Sequence, residues 1–497
     1  MMCRCKSQSR RWYAALCVLL LATTVRAASP VLTSVLPRGG QRGAEVELVF
    51  AGDRLADAQE VIFYTSGLSV KKLEAATPQQ LKIKVAIASD AALGEHPLRV
   101  RTATGISELR TFWVGALPVV EEKEPNSDFA QPQKIELNTT IAGVIDNEDV
   151  DYFIIEAKKG QCLTVDVEGI RLGDTMFDPY VAIFDKNRFE LAACDDSPLL
   201  LQDPVASITA PGDDQYIVQV RESAYGGNAS CRYRLHIGTF PRPRVAFPAG
   251  GQAGKELATQ LIGDASGPIA QTISLPAEPG EFRLVVDRSG QTPPSPNYLR
   301  VSPFANALEA EPNDEGKTAT IIPGPLPAAA NGVVASTGDV DHFRITAKAG
   351  QVFDLSVYAR RLRSPLDPVL AVFDATGKVL AENDDTNGPD SYLRFAVPAD
   401  GEYIIRVHDQ LHGGGPQYVY RVEMVPVQPR LDLSIPLIAA NSQERQAIVV
   451  PRGNRFATLV RATRADFAGE VKLKIDDLPP GVTVTAEPVA ANLDLVP

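Results

Sequence analysis

Apolar and polar residues alternate in short runs along most of the chain. Glu45-Val46-Glu47-Leu48-Val49, Leu81-Lys82-Ile83-Lys84-Val85, Leu163-Thr164-Val165-Asp166-Val167 and Val471-Lys472-Leu473-Lys474-Ile475 all repeat with period two. Successive side chains of a strand point to opposite faces, so such runs predict strands with one wet face and one dry one. Asp, Asn, Gly or Pro closes most runs after four to seven residues, as in Gly52-Asp53 and Pro211-Gly212. Apolar positions at helical spacing are scarce, while the chain carries 38 Pro and 37 Gly. The pattern predicts an all-β chain of tandem β-sandwiches.

The runs recur in order. Pro37-Arg38-Gly39-Gly40-Gln41-Arg42-Gly43, a turn that glycines negotiate easily, returns as Pro248-Ala249-Gly250-Gly251-Gln252-Ala253-Gly254. Gly52-Asp53 returns as Gly263-Asp264 at the same spacing, but Gly94-Glu95 returns early, as Gly280-Glu281. The second copy is therefore 25 residues shorter between these anchors, 186 against 211, which predicts a reduced sandwich lacking two or three strands and leaning on its neighbours for core. A larger unit also repeats. Phe177-Asp178-Pro179 to Phe184-Asp185 answers Leu366-Asp367-Pro368 to Phe373-Asp374, and Tyr233-Arg234-Leu235 answers Tyr420-Arg421-Val422. The resulting division is a leader at 1–27, a small domain at 28–117, a large one at 118–240, a shortened small one at 241–303, a large one at 304–428 and an incomplete immunoglobulin-like β domain at 429–497.

The glycine turns and the Gly-Asp that closes the next strand resemble the IPT/TIG family of immunoglobulin-like domains. The ordered blocks of the larger unit resemble the bacterial pre-peptidase C-terminal domain, the family that includes the collagen-binding domains of clostridial collagenases. This second resemblance implies jelly-roll-like sandwiches alternating with immunoglobulin-like ones.

Composition narrows the setting. Arg4, Lys6, Arg10 and Arg11 precede the apolar stretch Tyr13 to Ala22, and Val25-Arg26-Ala27 is an acceptable cleavage site, so the first 27 residues read as an export signal. No later stretch is long and apolar enough for a membrane span. Losing that leader removes five basic residues and takes the formal charge from −12 to −17, which disfavours nucleic acid and anionic membrane and suits divalent cations. The remaining Cys162, Cys194 and Cys231 lie in the first large unit, with Val352, Asn383 and Tyr418 at the matching positions of the second. The fold thus needs no disulfide, and one bridge with a spare thiol is allowed.

The chemistry concentrates in two acidic clusters, Glu122-Lys123-Glu124-Pro125-Asn126-Ser127 and Glu309-Ala310-Glu311-Pro312-Asn313-Asp314, followed by Asp149-Val150-Asp151 and Asp339-Val340-Asp341. An extended Glu-x-Glu puts two carboxylates on one side, and calcium seeks six to eight oxygens of this kind. The bland reading is a solvated acidic linker. In the collagen-binding relatives the leader segment and the later Asp-x-Asp share calcium. The resemblance therefore implies Glu309, Glu311, Asn313, Asp314, Asp339 and Asp341 as calcium ligands in the second copy. In the first it implies Glu122, Glu124, Asn126, Asp149 and Asp151, with Ser127 in place of Asp314 weakening that site. Tyr418 and Tyr420 lie on one face of a late strand, matched by Cys231 and Tyr233; packing is the ordinary role for such residues, and a ligand-binding face the alternative.

No catalytic signature emerges. The five histidines form no His-Glu-x-x-His, and Gly-x-Ser-x-Gly and Walker loops do not occur. The sequence reads as an exported, non-catalytic array for adhesion to, or targeting of, extracellular protein or polysaccharide. The alternatives are the non-catalytic portion of a secreted peptidase and a structural spacer of the cell envelope.

Overall fold

The computed structural model describes residues 29–386, 388–436, 448, 450 and 452–497. The leader lies outside them, and so do Ala447, Val449 and Pro451 of the run Ala447 to Gly453, whose apolar pattern also predicts a strand. The described chain is built from β-sheets, with two single-turn 3-10 helices at Ile170–Leu172 and Arg360–Leu362.

The first small sandwich packs two four-stranded sheets. One runs Val31–Leu36, Glu45–Asp53, Gln80–Ile87, Leu68–Ala76; the other runs Gly39–Gln41, Arg110–Gly115, Gly94–Thr102, Ala58–Phe63. The alternation of Gln80–Ile87 is visible in its burial, since Leu81, Ile83, Val85 and Ile87 enter the core while Gln80 and Lys84 face water. The shortened sandwich keeps three strands per sheet: Val245–Phe247, Glu256–Ile262, Ile269–Ser274, and Gly250–Gln252, Asn297–Ser302, Gly280–Leu284. The missing segment is the edge pair that corresponds to Ala58–Phe63 and Leu68–Ala76. One flank of both sheets has been removed and the centre retained.

Each large sandwich packs two five-stranded sheets, and the two copies share strand order. In the second copy one sheet runs Asn306–Leu308, Ala328–Val333, Val419–Pro426, Val352–Tyr358, Tyr392–Ala396. The other runs Thr320–Ile321, Val340–Ala347, Gly401–Asp409, Pro368–Asp374, Val379–Asn383. Phe343, Leu355, Val357, Leu370, Val372 and Ile405 are fully buried between them, each worth about 1.5–3 kcal/mol of transfer energy. The final segment forms a thin three-stranded sheet, Arg430–Ser434, Val460–Ala465, Leu495–Val496. The strand expected at Val471–Ile475 is reduced to an isolated bridge from Val471 to Val489. Among the described residues of this segment, Ala462, Val489 and Val496 are the ones buried together, a small apolar surface on which to fix a longer strand.

Arginines pin neighbouring sandwiches together. Arg38 of the first small sandwich pairs with Asp174 of the first large one at 2.9 Å. Arg242 pairs with the fully buried Asp166 at 2.9 Å and donates to Ser295 O at 2.7 Å. Arg421 donates to Ser302 Oγ at 2.7 Å and to Asn306 Oδ1 at 2.6 Å, while Arg300 meets Glu423 at 3.1 Å. Arg394 meets Asp466 at 2.6 Å. Cys162, Cys194 and Cys231 are all free thiols.

Candidate metal centres

The acidic clusters sit where the connector enters each large sandwich. In the second copy Asn306–Leu308 is a parallel edge strand beside Ala328–Val333, and Glu309 N donates to Asn331 O at 3.0 Å. In the first copy Val119–Glu121 pairs in parallel with Thr139–Val144, and Glu122 N donates to Ala142 O at 3.0 Å. Backbone bonds therefore dock both connectors, and the carboxylates that follow are carried to a fixed place.

At that place the next turn is the same in both copies. Asn313 N donates to Glu311 Oε2, and Asn126 N to Glu124 Oε2, each at 2.8 Å. The Asn carbonyl then accepts from the following strand, His342 N at 3.2 Å in one copy and Tyr152 N at 3.1 Å in the other. This latches the turn onto the strand that carries Asp341 or Asp151. Carboxylate oxygens of Glu309, Glu311 and Asp341 come within 4.8 Å of one another, as do those of Glu124, Asp149 and Asp151. Asp151 and Asp341 are fully buried.

Glu122 lies against the same centre, beside Tyr233. Ser127 donates to Asp149 Oδ1 at 2.9 Å, so the serine meets the cluster through a carboxylate. Asp314 is exposed and outside the gathered trio, and Asp339 accepts from Ala335 N at 2.5 Å rather than joining it. Asn126 and Asn313 are buried at the turn, and their side-chain amides have no hydrogen-bond partner among the described residues.

Two residue types complete the sites without having been singled out as ligands. Tyr420 donates to Asp341 Oδ2 at 2.7 Å. Tyr233 Oη lies 2.8 Å from Glu122 Oε2 and 2.6 Å from Asp151 Oδ2. A phenol has one proton and donates to one carboxylate at a time, so the second contact requires a proton on a carboxyl or a cation nearby. Gly143 lies directly across the antiparallel ladder from Tyr233, and Gly332 from Tyr420. A Cβ on either glycine would overlap the tyrosine ring and the Glu122 or Glu309 carboxylate, so each glycine opens the seat in which the two meet. Tyr233 and Tyr420 recur between copies while Cys231 and Tyr418 do not, and Gly143 and Gly332 recur likewise. That matching was the available signal.

Electrostatics mark both centres as short of positive charge. Burial and then the charge of Asp341 push Glu309 up to about 9. Burial, partly countered by Tyr420, pushes Asp341 up to about 7. Burial and Glu122 raise Asp151 to about 9, and burial raises Glu122 as well. Asp151 Oδ1, Asp341 Oδ1 and Glu309 Oε2 are buried with no hydrogen-bond partner among the described residues. Carboxylate oxygens removed from water and left unpartnered are costly, and hard-cation coordination satisfies them. The donor set consists of carboxylates with an adjacent amide, so it fits calcium and lacks the soft ligands of a zinc site.

This architecture defines a class, an array of β-sandwiches with an acidic centre at the entry of each large module. Within the second large module, residues 339–409 match the family model of the bacterial pre-peptidase C-terminal domain. Over 214 residues, or 42% of its length, the chain is 28% identical to a "probable subtilase-type serine protease" of Deinococcus radiodurans, and it covers 27% of that relative. Among solved structures, the pre-peptidase C-terminal domain of a Bacillus anthracis collagenase aligns over 23% of this chain and 99% of its own, at 18% identity and a TM-score of 0.19. Aeromonas hydrophila PliG, a periplasmic inhibitor of g-type lysozyme, aligns over 25% of this chain and all of its own, at 20% identity and a TM-score of 0.18. No helix among the described residues is long and apolar enough to cross a membrane.

Proposed function

We propose that the chain is an exported, non-catalytic binding array whose two large sandwiches each hold a calcium ion where the connector meets the sandwich. The observation that carries this reading is the pair of matching carboxylate centres, each built on a buried Asp and each holding buried, unpartnered oxygens. Glu309, Glu311, Asp341 and Asn313 hold the ion in the second module, and Glu122, Glu124, Asp149, Asp151 and Asn126 in the first. The connectors are already docked by backbone bonds, so the ion's task is to neutralise the carboxylates that docking brings together. The role is mechanical: it stiffens a module entry. Modules held in this way would present their outer faces to an extracellular protein or polysaccharide.

Likeness to a subtilase-type protease over 214 residues favours a second reading, in which the array is the non-catalytic portion of a secreted peptidase. Pull-down on collagen, chitin and cellulose, with and without calcium, tests the binding role. Retention on none of them would leave the peptidase reading ahead.

Calorimetric titration of the chain with calcium chloride tests the metal. Binding is expected at about 10⁻⁴–10⁻³ M, as in other extracellular calcium modules. Asp341→Asn together with Asp151→Asn is expected to abolish it. An absence of heat at millimolar calcium, or heat unaltered by the double substitution, would sink the proposal.

A further inference from the structure

We infer that the strand Ile269–Ser274 of the shortened sandwich is a self-association edge, pairing antiparallel with the same strand of a second copy of this chain. The strand ends its sheet, beyond Glu256–Ile262. In the first small sandwich the corresponding strand, Gln80–Ile87, is covered on that side by Leu68–Ala76. The covering strand carries Lys71, Lys72 and Glu74, and its register slips twice. Charges and bulges of that kind blunt an edge against further pairing. The shortened sandwich has lost this guard and its neighbour together.

What remains is open. Ile269-Ala270-Gln271-Thr272-Ile273-Ser274 has no charged residue and pairs with Glu256–Ile262 without irregularity. Two other uncharged edges, Val31–Leu36 and Val205–Thr209, are capped. Leu32 N in Val31–Leu36 donates to Glu108 at 2.7 Å, and Thr33 O accepts from Arg110 at 3.2 Å. Val205 O in Val205–Thr209 accepts from Arg244 at 3.0 Å. No side chain among the described residues bonds to the backbone of Ile269–Ser274.

The adjoining sheet face has changed in step. Aligned by register, Glu47, Lys82 and Lys84 of the first copy become Ala258, Ala270 and Thr272. Ala270 and Thr272 are exposed and, with Phe247, Ala258 and Gln260, line a shallow depression of about 430 Å³. The edge has shed its charges and the face has kept only Glu256, opposite Ser274, in the one small sandwich that lacks its flanking strands.

The missing structure is a strand, so the occupant is a strand added through backbone bonds. A neutral edge gives a charged partner strand nothing to recognise. The formal charge of this chain is −12, so two copies repel over most of their surfaces and can approach where a surface is neutral. Ile269–Ser274 is also self-complementary about a two-fold axis through Thr272. That register sets Thr272 against its counterpart and Ala270 against Ser274, which keeps small residues together on the outer face. Thr–Thr pairs across antiparallel strands stabilise them. Two three-stranded sheets would become one continuous sheet.

Sedimentation velocity on the leaderless chain, over about 1–100 µM, reads the association directly. A concentration-dependent dimer is expected. Thr272→Lys places like charges on the two-fold axis and should weaken the dimer about tenfold or more. Thr272→Cys provides an independent reading, because directly opposed antiparallel residues lie about 4.5–5.5 Å apart at Cα, within disulfide reach. Mild oxidation should yield a covalent dimer above the background of the native thiols, and Lys84→Cys in the first small sandwich should not. A monomer throughout the range, or a dimer indifferent to Thr272→Lys, overturns the inference, including the case in which the edge serves some other protein.

Discussion

Gly332 and Tyr420 show how much of a centre rests on one opposed pair. The glycine leaves room for the phenol, and the phenol donates to the buried Asp341 at 2.7 Å. Gly332→Ala is expected to cost about 1–3 kcal/mol by overpacking, read as a shift of the urea midpoint at unchanged slope. Tyr420→Phe removes the donor and leaves a buried carboxylate oxygen unsatisfied, for about 1–3 kcal/mol. The pH response follows from the raised carboxyls. Unfolded, Glu309 and Asp341 titrate near 4.5 and 3.8; folded, near 9 and 7. Over this window the native state holds more protons than the unfolded one, so stability without metal falls as pH rises. Thermal unfolding in a chelating buffer should therefore show Tm declining from about pH 5 to pH 9. If calcium occupies the centre, millimolar calcium should restore Tm most at the alkaline end, because binding then displaces the fewest protons. A Tm that rises over this range without metal would contradict the assignment.

Among elements, the junction arginines carry a different load. Arg242 is buried against Asp166, whose other cationic partner among the described residues is Arg171 at 3.4 Å. Arg242→Met should destabilise the chain by about 3 kcal/mol, since removing one partner strands a buried charge. Arg283→Met, which removes an exposed pair with Glu281, should change it by less than about 1 kcal/mol. Differential scanning calorimetry on the full chain compares the two. None of these arginine pairs was legible in the sequence, although the lean of the shortened sandwich on its neighbours was, and the strands largely were. Gln80–Ile87 or Val340–Ala347 announces itself because period-two alternation is local, and the loss of an edge pair could be read as missing length between matched anchors. Glu309, Glu311 and Asp341 were legible as carboxylates that converge. Tyr420, Gly332, Arg242 and Asp166 were not, because their roles depend on which strands become neighbours. Asp314 looked equivalent to its neighbours in the sequence, but the turn at Asn313 faces inward and carries Asp314 out to solvent.

At the scale of the whole molecule, the shortened sandwich should depend on the module that follows it. Its own core gathers Ala246, Leu257, Leu261, Ile273, Leu275, Leu284, Val286, Leu299 and Val301, with no buried aromatic ring. The first small sandwich centres on Phe50 and Phe112 and retains its flanking strands. A domain of about 60 residues is marginal even with a complete core. The deficit is made up across the junction: Val245 and Ala249 pack with Leu362 and Val419, and Phe247, Ile262 and Tyr298 join Val333 and Tyr358. Arg300 stacks over Tyr358 at 4.7 Å while pairing with Glu423, which closes the seam with charge. Residues 241–303 expressed alone should be unfolded by circular dichroism, whereas 241–428 should melt in one cooperative transition. If 241–303 melts cooperatively alone, or 241–428 melts in two steps, the shared cluster is dispensable and the two sandwiches are independent. A single transition would mean that the docked connector, the acidic centre it delivers and the truncated sandwich before it fold as one unit, so that calcium bound at Glu309 and Asp341 would also stabilise residues as far upstream as Val245.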